Sequence, residues 1–198
     1  MPPANSDNTS VTARPLVGSY TTPGLSEQTG QEVARILQGR LNALNDLALT
    51  LKHVHWNVVG PHFIGVHEMI DPHVVEVRDM VDETAERIAT LGTAPLGTPG
   101  EIVASRTWQD YSLGRGSTDE HLGALDVVYV GLLEDHRKAQ ETTADLDPVS
   151  EDMLIGQIKQ LELFHWFIRA HLENAGGGLS TGSATSEESA AEQAGARH

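Results

Sequence analysis

The 198-residue sequence contains no cysteine. That removes thiolate-held zinc, iron–sulfur clusters and thiol catalysis, so any metal must be held by histidine and carboxylate. Aromatic residues make up 5% of the chain, and there are only three lysines, Lys52, Lys138 and Lys159. Thirteen basic residues against 28 acidic ones leave a net charge of −15. Such a charge opposes approach to a phosphate backbone and favours attraction of cations. No apolar run approaches the roughly 20 residues needed to cross a bilayer, so no membrane partner is expected. The first fifteen residues lack a charged start followed by an apolar stretch. A cytoplasmic location is therefore expected, with nucleoid association left open. The length suits one domain with a sizeable core.

Ten histidines are many for this length, and most fall in segments that read as helix. Residues 1–25 are rich in Pro, Ser and Thr without an apolar period, which predicts a flexible N-terminal tail. Val33, Ile36, Leu37, Leu41, Leu44, Leu47, Leu51 and Val54 then recur at three- and four-residue spacing, the mark of an amphipathic helix that runs to about Val58. Gly60-Pro61 breaks the chain. A second helix is expected from about His62 to Leu91, with Pro72 loosening it from inside. Residues 92–117 carry five Gly and two Pro, and read as a long crossover holding one short helix. Ser117 and Glu120 have the spacing of a capping box and open a third helix to about Thr143. Asp147-Pro148 opens a fourth, stopped by the glycines after Ala175. Residues 176–198 read as a flexible C-terminal tail. The expectation is an all-α protein, with a ferritin-like four-helix bundle over residues 26–175.

On the second helix His67 and Asp71 are four residues apart, as are Asp82 and Glu86, so each pair projects from one face and can grip one ion. Asp71 and Asp82 differ by about 20° in azimuth but by roughly 16 Å along the axis, so they cannot share an ion within one helix. Two antiparallel copies of the helix across a two-fold axis would remove that distance. His67 and Asp71 of one copy then face Asp82 and Glu86 of the other. His55, at the end of the first helix, can complete each site. Two imidazoles with three carboxylates suit iron, with zinc or manganese as competitors. Either pair alone also fits an ordinary solvated helix face.

The stretch Lys52-His-Val-His-Trp-Asn-Val-Val-Gly-Pro-His-Phe-Ile-Gly-Val-His-Glu-Met-Ile-Asp71, continuing through Asp82-Glu-Thr-Ala-Glu86, resembles the signature of the Dps family of mini-ferritins, its actinobacterial branch in particular. The resemblance extends over about residues 22–178 and takes in the Trp108 loop and Phe164-His-Trp-Phe-Ile-Arg-Ala-His-Leu-Glu173. It implies a hollow dodecamer built from two-fold dimers, with ferroxidase ligands His55, His67 and Asp71 from one subunit and Asp82 and Glu86 from the next. The implied activity is that of an oxidoreductase for iron storage under oxidative stress. Fe(II) would be oxidised by hydrogen peroxide, or more slowly by dioxygen, and ferric mineral kept inside. The resemblance also suggests Trp56 as a trap for stray oxidising equivalents; a Trp packed at a helix end is the alternative. It further suggests an acidic pore for iron near the start of the fourth helix, drawn from Asp145, Asp147, Glu151 and Asp152. A solvated helix start explains those acids equally.

Three rivals remain. Glu162 and His165 have the Glu-x-x-His spacing of intrasubunit di-iron sites, though the second helix lacks a matching pair and His165 is expected near the core or an interface. DNA compaction through basic tails is the second. Residues 1–25 hold one Asp and one Arg, and residues 176–198 hold three Glu and one Arg, so weak or no DNA binding is expected. A purely structural shell is the third.

Overall fold

Three of the four long helices begin where a side chain accepts a backbone amide that has no partner inside the helix, the second being the exception. Residues 16–196 are described in the computed structural model, and six helices form there. Helix α1 (Glu27–Asn57) starts at Ser26, whose hydroxyl accepts from the Thr29 amide at 3.0 Å. Helix α2 (Phe63–Thr90) follows a turn in which Gly60 takes φ +108°, and it runs unbroken past Pro72. The crossover carries the short α3 (Pro99–Ser105). Helix α4 (Thr118–Thr143) opens on the expected capping box, with the Ser117 amide donating to Glu120 at 2.7 Å and the Glu120 amide to Ser117 at 3.3 Å. Helix α5 (Pro148–Leu172) is capped by Asp147, with proline in its first turn.

Two contacts set the topology. The strands β1 (Val58–Val59) and β2 (Gly116–Ser117) pair in parallel, which fixes the end of α1 beside the start of α4. At the opposite end Arg87, late in α2, binds Asp147 at the start of α5 at 2.5 Å. The crossover must therefore run the length of the bundle, the ferritin-like arrangement. Two apolar clusters fill the interior. Leu44, Leu51, Ile70, Val77, Leu125, Tyr129 and Leu161 belong to the first. Val33, Leu37, Leu41, Ile88, Leu91 and Leu154 belong to the second. Each such side chain contributes about 1.5–3 kcal/mol by leaving water.

The C-terminal segment departs from the expected tail. A sixth helix, α6 (Glu187–Gly195), buries Ala190, Ala191 and Ala194, and Ala194 joins the first apolar cluster. The small residues that read as disorder are what allow this packing. A Cβ on Gly123 of α4 would lie 2.6 Å from the Ala190 carbonyl oxygen and 3.0 Å from the Ala194 Cβ, so α6 can sit against α4 only where both faces are small. Residues 16–25 are likewise tied down. The Gly18 amide donates to Gly92 and the Ala94 amide to Leu16, both at 2.7 Å, around a bridge between Val17 and Thr93. Residues 1–15 of the tail expected over residues 1–25, and the end of the chain after residue 196, lie outside the described residues. No helix among the described residues is long and apolar enough to cross a membrane.

Candidate metal centre

The turn at Gly60-Pro61 folds the end of α1 against the start of α2 and brings His55 beside His67. Their rings stack with centroids 3.6 Å apart and planes 23° from parallel. The two residues hold each other through their backbones. Nδ1 of His55 lies 3.0 Å from the His67 carbonyl oxygen, and Nδ1 of His67 lies 2.9 Å from the His55 carbonyl oxygen. A carbonyl only accepts, so each Nδ1 carries the proton and donates it. Each Nε2 is left as the lone-pair nitrogen, the tautomer a metal requires.

Asp71 sits one turn beyond His67, with its carboxylate 3.3 Å from His55 Nδ1 and 2.9 Å from the Lys52 ammonium. The hydrogen bond from Lys52 holds the Asp71 carboxyl below the usual range; desolvation opposes it in part, and His55 adds a smaller downward pull. Lys52 also lies 5.7 Å from the centre of the Trp56 ring. Trp56 is 71% exposed within the chain, so it does not pack at the helix end. Ile64, in the first turn of α2, is exposed as well. The half-site of His55, His67 and Asp71 thus has the exposed Trp56 ring near it, through Lys52. His73 is a core residue by contrast: it is buried and stacked on Phe164, and burial pushes its imidazole down to about 4.

Asp82 and Glu86 lie exposed farther along α2, and among the described residues neither carboxylate has a hydrogen-bond or ion-pair partner. Among the described residues no group of three or more histidine and acidic side chains is set to hold an ion within one chain. The five candidate ligands therefore form two separate groups on one helix face and one helix end.

Residues 34–176 match the ferritin-like domain family. The DNA protection during starvation protein of Mycolicibacterium smegmatis is 58% identical over 176 residues, which is 89% of this chain and 96% of that protein. The chain belongs to the Dps family. Among solved structures, the tetragonal form of Mycobacterium smegmatis Dps superposes with a TM-score of 0.81 at 61% identity, covering 81% of this chain and 98% of that one. DpsA14 from Streptomyces coelicolor gives 0.81 at 60% identity, covering 83% and 98%.

Placed in this Dps chain, the acids near the start of α5 separate into two kinds. Asp145 and Asp152 are exposed, and Glu151 is half-buried and accepts from Gln140 at 2.9 Å. Asp147 does not fit the pore expectation. It is buried, and it accepts from Arg87, from the Ser150 hydroxyl and from the Ser150 amide. Although burial opposes its charge, Ser150 and Arg87 hold its carboxyl below the usual range. Its place in the chain, directly before Pro148, is that of a helix cap, and the cap is the role it fills.

The Glu162 and His165 pair does not converge. Glu162 binds Arg137 at the surface, whereas His165 points inward to Asp126, 2.6 Å away. Asp126 was not visible as special from the sequence. It accepts from His165 and, at 2.9 Å, from Arg169 on α5, and from Thr181 of the C-terminal segment at 2.8 Å. Burial works against its charge, yet these three donors bring its carboxyl down to about 2. Lys52 was also overlooked as a partner of Asp71. Its position one turn before His55, on the same helix face, is the signal that could have found it.

Proposed function

We propose that two copies of this chain associate about a two-fold axis with their α2 helices antiparallel, and that each interface holds two ferroxidase sites. His55, His67 and Asp71 of one copy then face Asp82 and Glu86 of the other. Ferrous iron is the substrate. Two ferrous ions each give one electron to hydrogen peroxide, or more slowly to dioxygen, so that peroxide is reduced to water without release of hydroxyl radical. The ferric product passes to the interior of a twelve-subunit shell and is stored as mineral in the cytoplasm. Trp56, on the rim of the half-site, intercepts oxidising equivalents that escape. Asp145, Glu151 and Asp152 are the acids left to line a pore for iron.

The observation that carries this reading is the mutual lock of His55 and His67. It leaves two Nε2 lone pairs free beside the Asp71 carboxylate, while Asp82 and Glu86 have no partner among the described residues along the same helix. A half-site with a matching half-site elsewhere on one helix is completed by a second copy. The relative's name speaks of DNA protection. For this chain, with its charge of −15, protection acts through removal of iron and peroxide, not through coating of DNA. Clear compaction in a gel-shift assay at moderate salt would overturn that point.

The test adds Fe²⁺ anaerobically to metal-free protein, then hydrogen peroxide, and follows ferric absorbance alongside native mass. Wild type is compared with Asp82→Ala/Glu86→Ala. Fast oxidation that is lost in the double variant while the assembly persists supports the intersubunit site. Equal rates in both proteins refute it.

A further inference from the structure

Tyr111 stands in the crossover, between α3 and β2, with its hydroxyl 2.9 Å from Nδ1 of His121 in the first turns of α4. His121 is fully buried. Its Nε2 has no hydrogen-bond partner among the described residues, so Tyr111 is the one group among them that bonds the ring, and burial keeps the ring from holding a second proton at rest. In the neutral tautomer that carries its proton on Nε2, Nδ1 accepts from the Tyr111 hydroxyl. The two rings lie 12° from parallel with centroids 6.1 Å apart, and His53 of α1 meets Tyr111 edge-on at 5.8 Å. Among the described residues neither of the other two tyrosines has such a partner. Tyr129 is fully buried and its hydroxyl has no hydrogen-bond partner among the described residues. Tyr20 is 64% exposed.

A phenol that loses one electron becomes a strong acid, and in a buried place it can be oxidised readily only when a base waits at hydrogen-bond distance. We propose that Tyr111 and His121 form a one-electron oxidation site that quenches hydroxyl radical. The radical takes one electron from Tyr111 and becomes hydroxide. The phenolic proton moves to His121 Nδ1, leaving a neutral tyrosyl radical beside an imidazolium. A ferrous ion or a soluble thiol then returns an electron, and His121 returns the proton.

The setting supports this assignment. Burial, and next the Glu187 carboxylate, push the Tyr111 phenol above its ordinary range, so the phenol is protonated before it is oxidised and its proton needs the acceptor that His121 Nδ1 supplies. Glu187 of α6 holds the loop in place by accepting from the Ser112 amide at 2.8 Å and its hydroxyl at 3.0 Å. Tyr111 and Trp108 share a cavity of about 410 Å³ between α1, α4 and the crossover, which gives a small diffusing oxidant a way to the ring. The source of the radical rests on the ferroxidase reading, since it forms when a ferrous ion meets peroxide outside the paired site. The tyrosine–histidine chemistry itself does not depend on that reading.

The experiment uses the assembled protein with Tyr20→Phe as background. In the first arm, free of iron, a ruthenium photo-oxidant with persulfate generates the oxidant, and the neutral tyrosyl radical is followed by absorption and by electron paramagnetic resonance. The radical should form in the background protein, more slowly in heavy water. It should be lost in Tyr111→Phe, and its rate should fall about a hundredfold in His121→Gln, the lower end of what a positioned base contributes. A radical that persists in Tyr111→Phe, or a rate untouched by both His121→Gln and heavy water, overturns the proposal. In the second arm, with Fe²⁺ and peroxide, hydroxyl spin-adduct yield should rise in Tyr111→Phe while ferrous oxidation keeps its rate. If ferrous oxidation is slow in every protein but the first arm succeeds, the ferroxidase reading falls and the tyrosine–histidine site stands.

Discussion

Replacing Asp126 by Asn should destabilise the protein by about 2 kcal/mol at neutral pH, and the penalty should vanish on acidification. The magnitude follows from its surroundings. The carboxyl stands at about 2 against an ordinary 3.8, which corresponds to about 2 kcal/mol at about 1.36 kcal/mol per pH unit. The side chain is 5% exposed, so water screens little of this. A carboxyl that is depressed in the folded chain contributes its full stability above its unfolded value, and that contribution is lost as pH falls through its folded value. The difference between wild type and Asp126→Asn should thus be whole above about pH 5, shrink below about pH 4 and nearly disappear by about pH 2.

Urea unfolding of both proteins at matched concentration, followed by circular dichroism across that pH range, measures the difference while holding assembly effects equal. Asp126→Ala should cost about 1–3 kcal/mol more than Asn, because His165 is left buried without its acceptor. Hydrogen exchange adds a local readout. Thr181 reaches Asp126 from the C-terminal segment, so Thr181→Val should speed exchange in α6 while lowering global stability by only about 1 kcal/mol. A penalty for Asp126→Asn that stays constant from neutral to acid pH would refute the reasoning, since it would mean that shape and not charge is what Asp126 supplies.

The four long helices were legible because each buries a continuous stripe, and a stripe is a property of neighbours in sequence. The same holds for the candidate ligands. His67 with Asp71 and Asp82 with Glu86 are four-residue pairs, visible before any fold is known, and the folded chain does place the first pair at the turn with His55. What escaped notice depends on contacts between distant segments. The knot at Asp126 draws on residues 165, 169 and 181, and no local pattern announces it. The residues of α6 are mostly alanine, glutamate, serine and glycine, a composition shared with disordered tails. Only the absence of a side chain at Gly123, on another helix, turns that composition into a docking face. Asp147 was misread for a related reason. An acid at a helix start is favoured whether it faces a pore or caps the helix, and Arg87, sixty residues away in the chain, decides between the two.

Gly123→Val places a side chain against the Ala190 carbonyl, so α6 should undock, with faster hydrogen exchange over residues 187–195 and a global cost within about 1–3 kcal/mol; unchanged exchange would refute the packing argument. Asp147→Ala removes a helix cap and strands Arg87, and should cost about 3 kcal/mol in thermal or urea unfolding at neutral pH. The depressed Asp147 carboxyl predicts that this cost, too, diminishes in acid. Lys52→Met tests what the ammonium does at the half-site. Lys52 and a metal ion compete for the Asp71 carboxylate, and water screens an exposed ion pair of this kind, so its removal should tighten zinc binding by at most about fivefold in a calorimetric titration. Weaker binding in Lys52→Met would refute competition, because it would mean that Lys52 holds Asp71 in the orientation the ion needs.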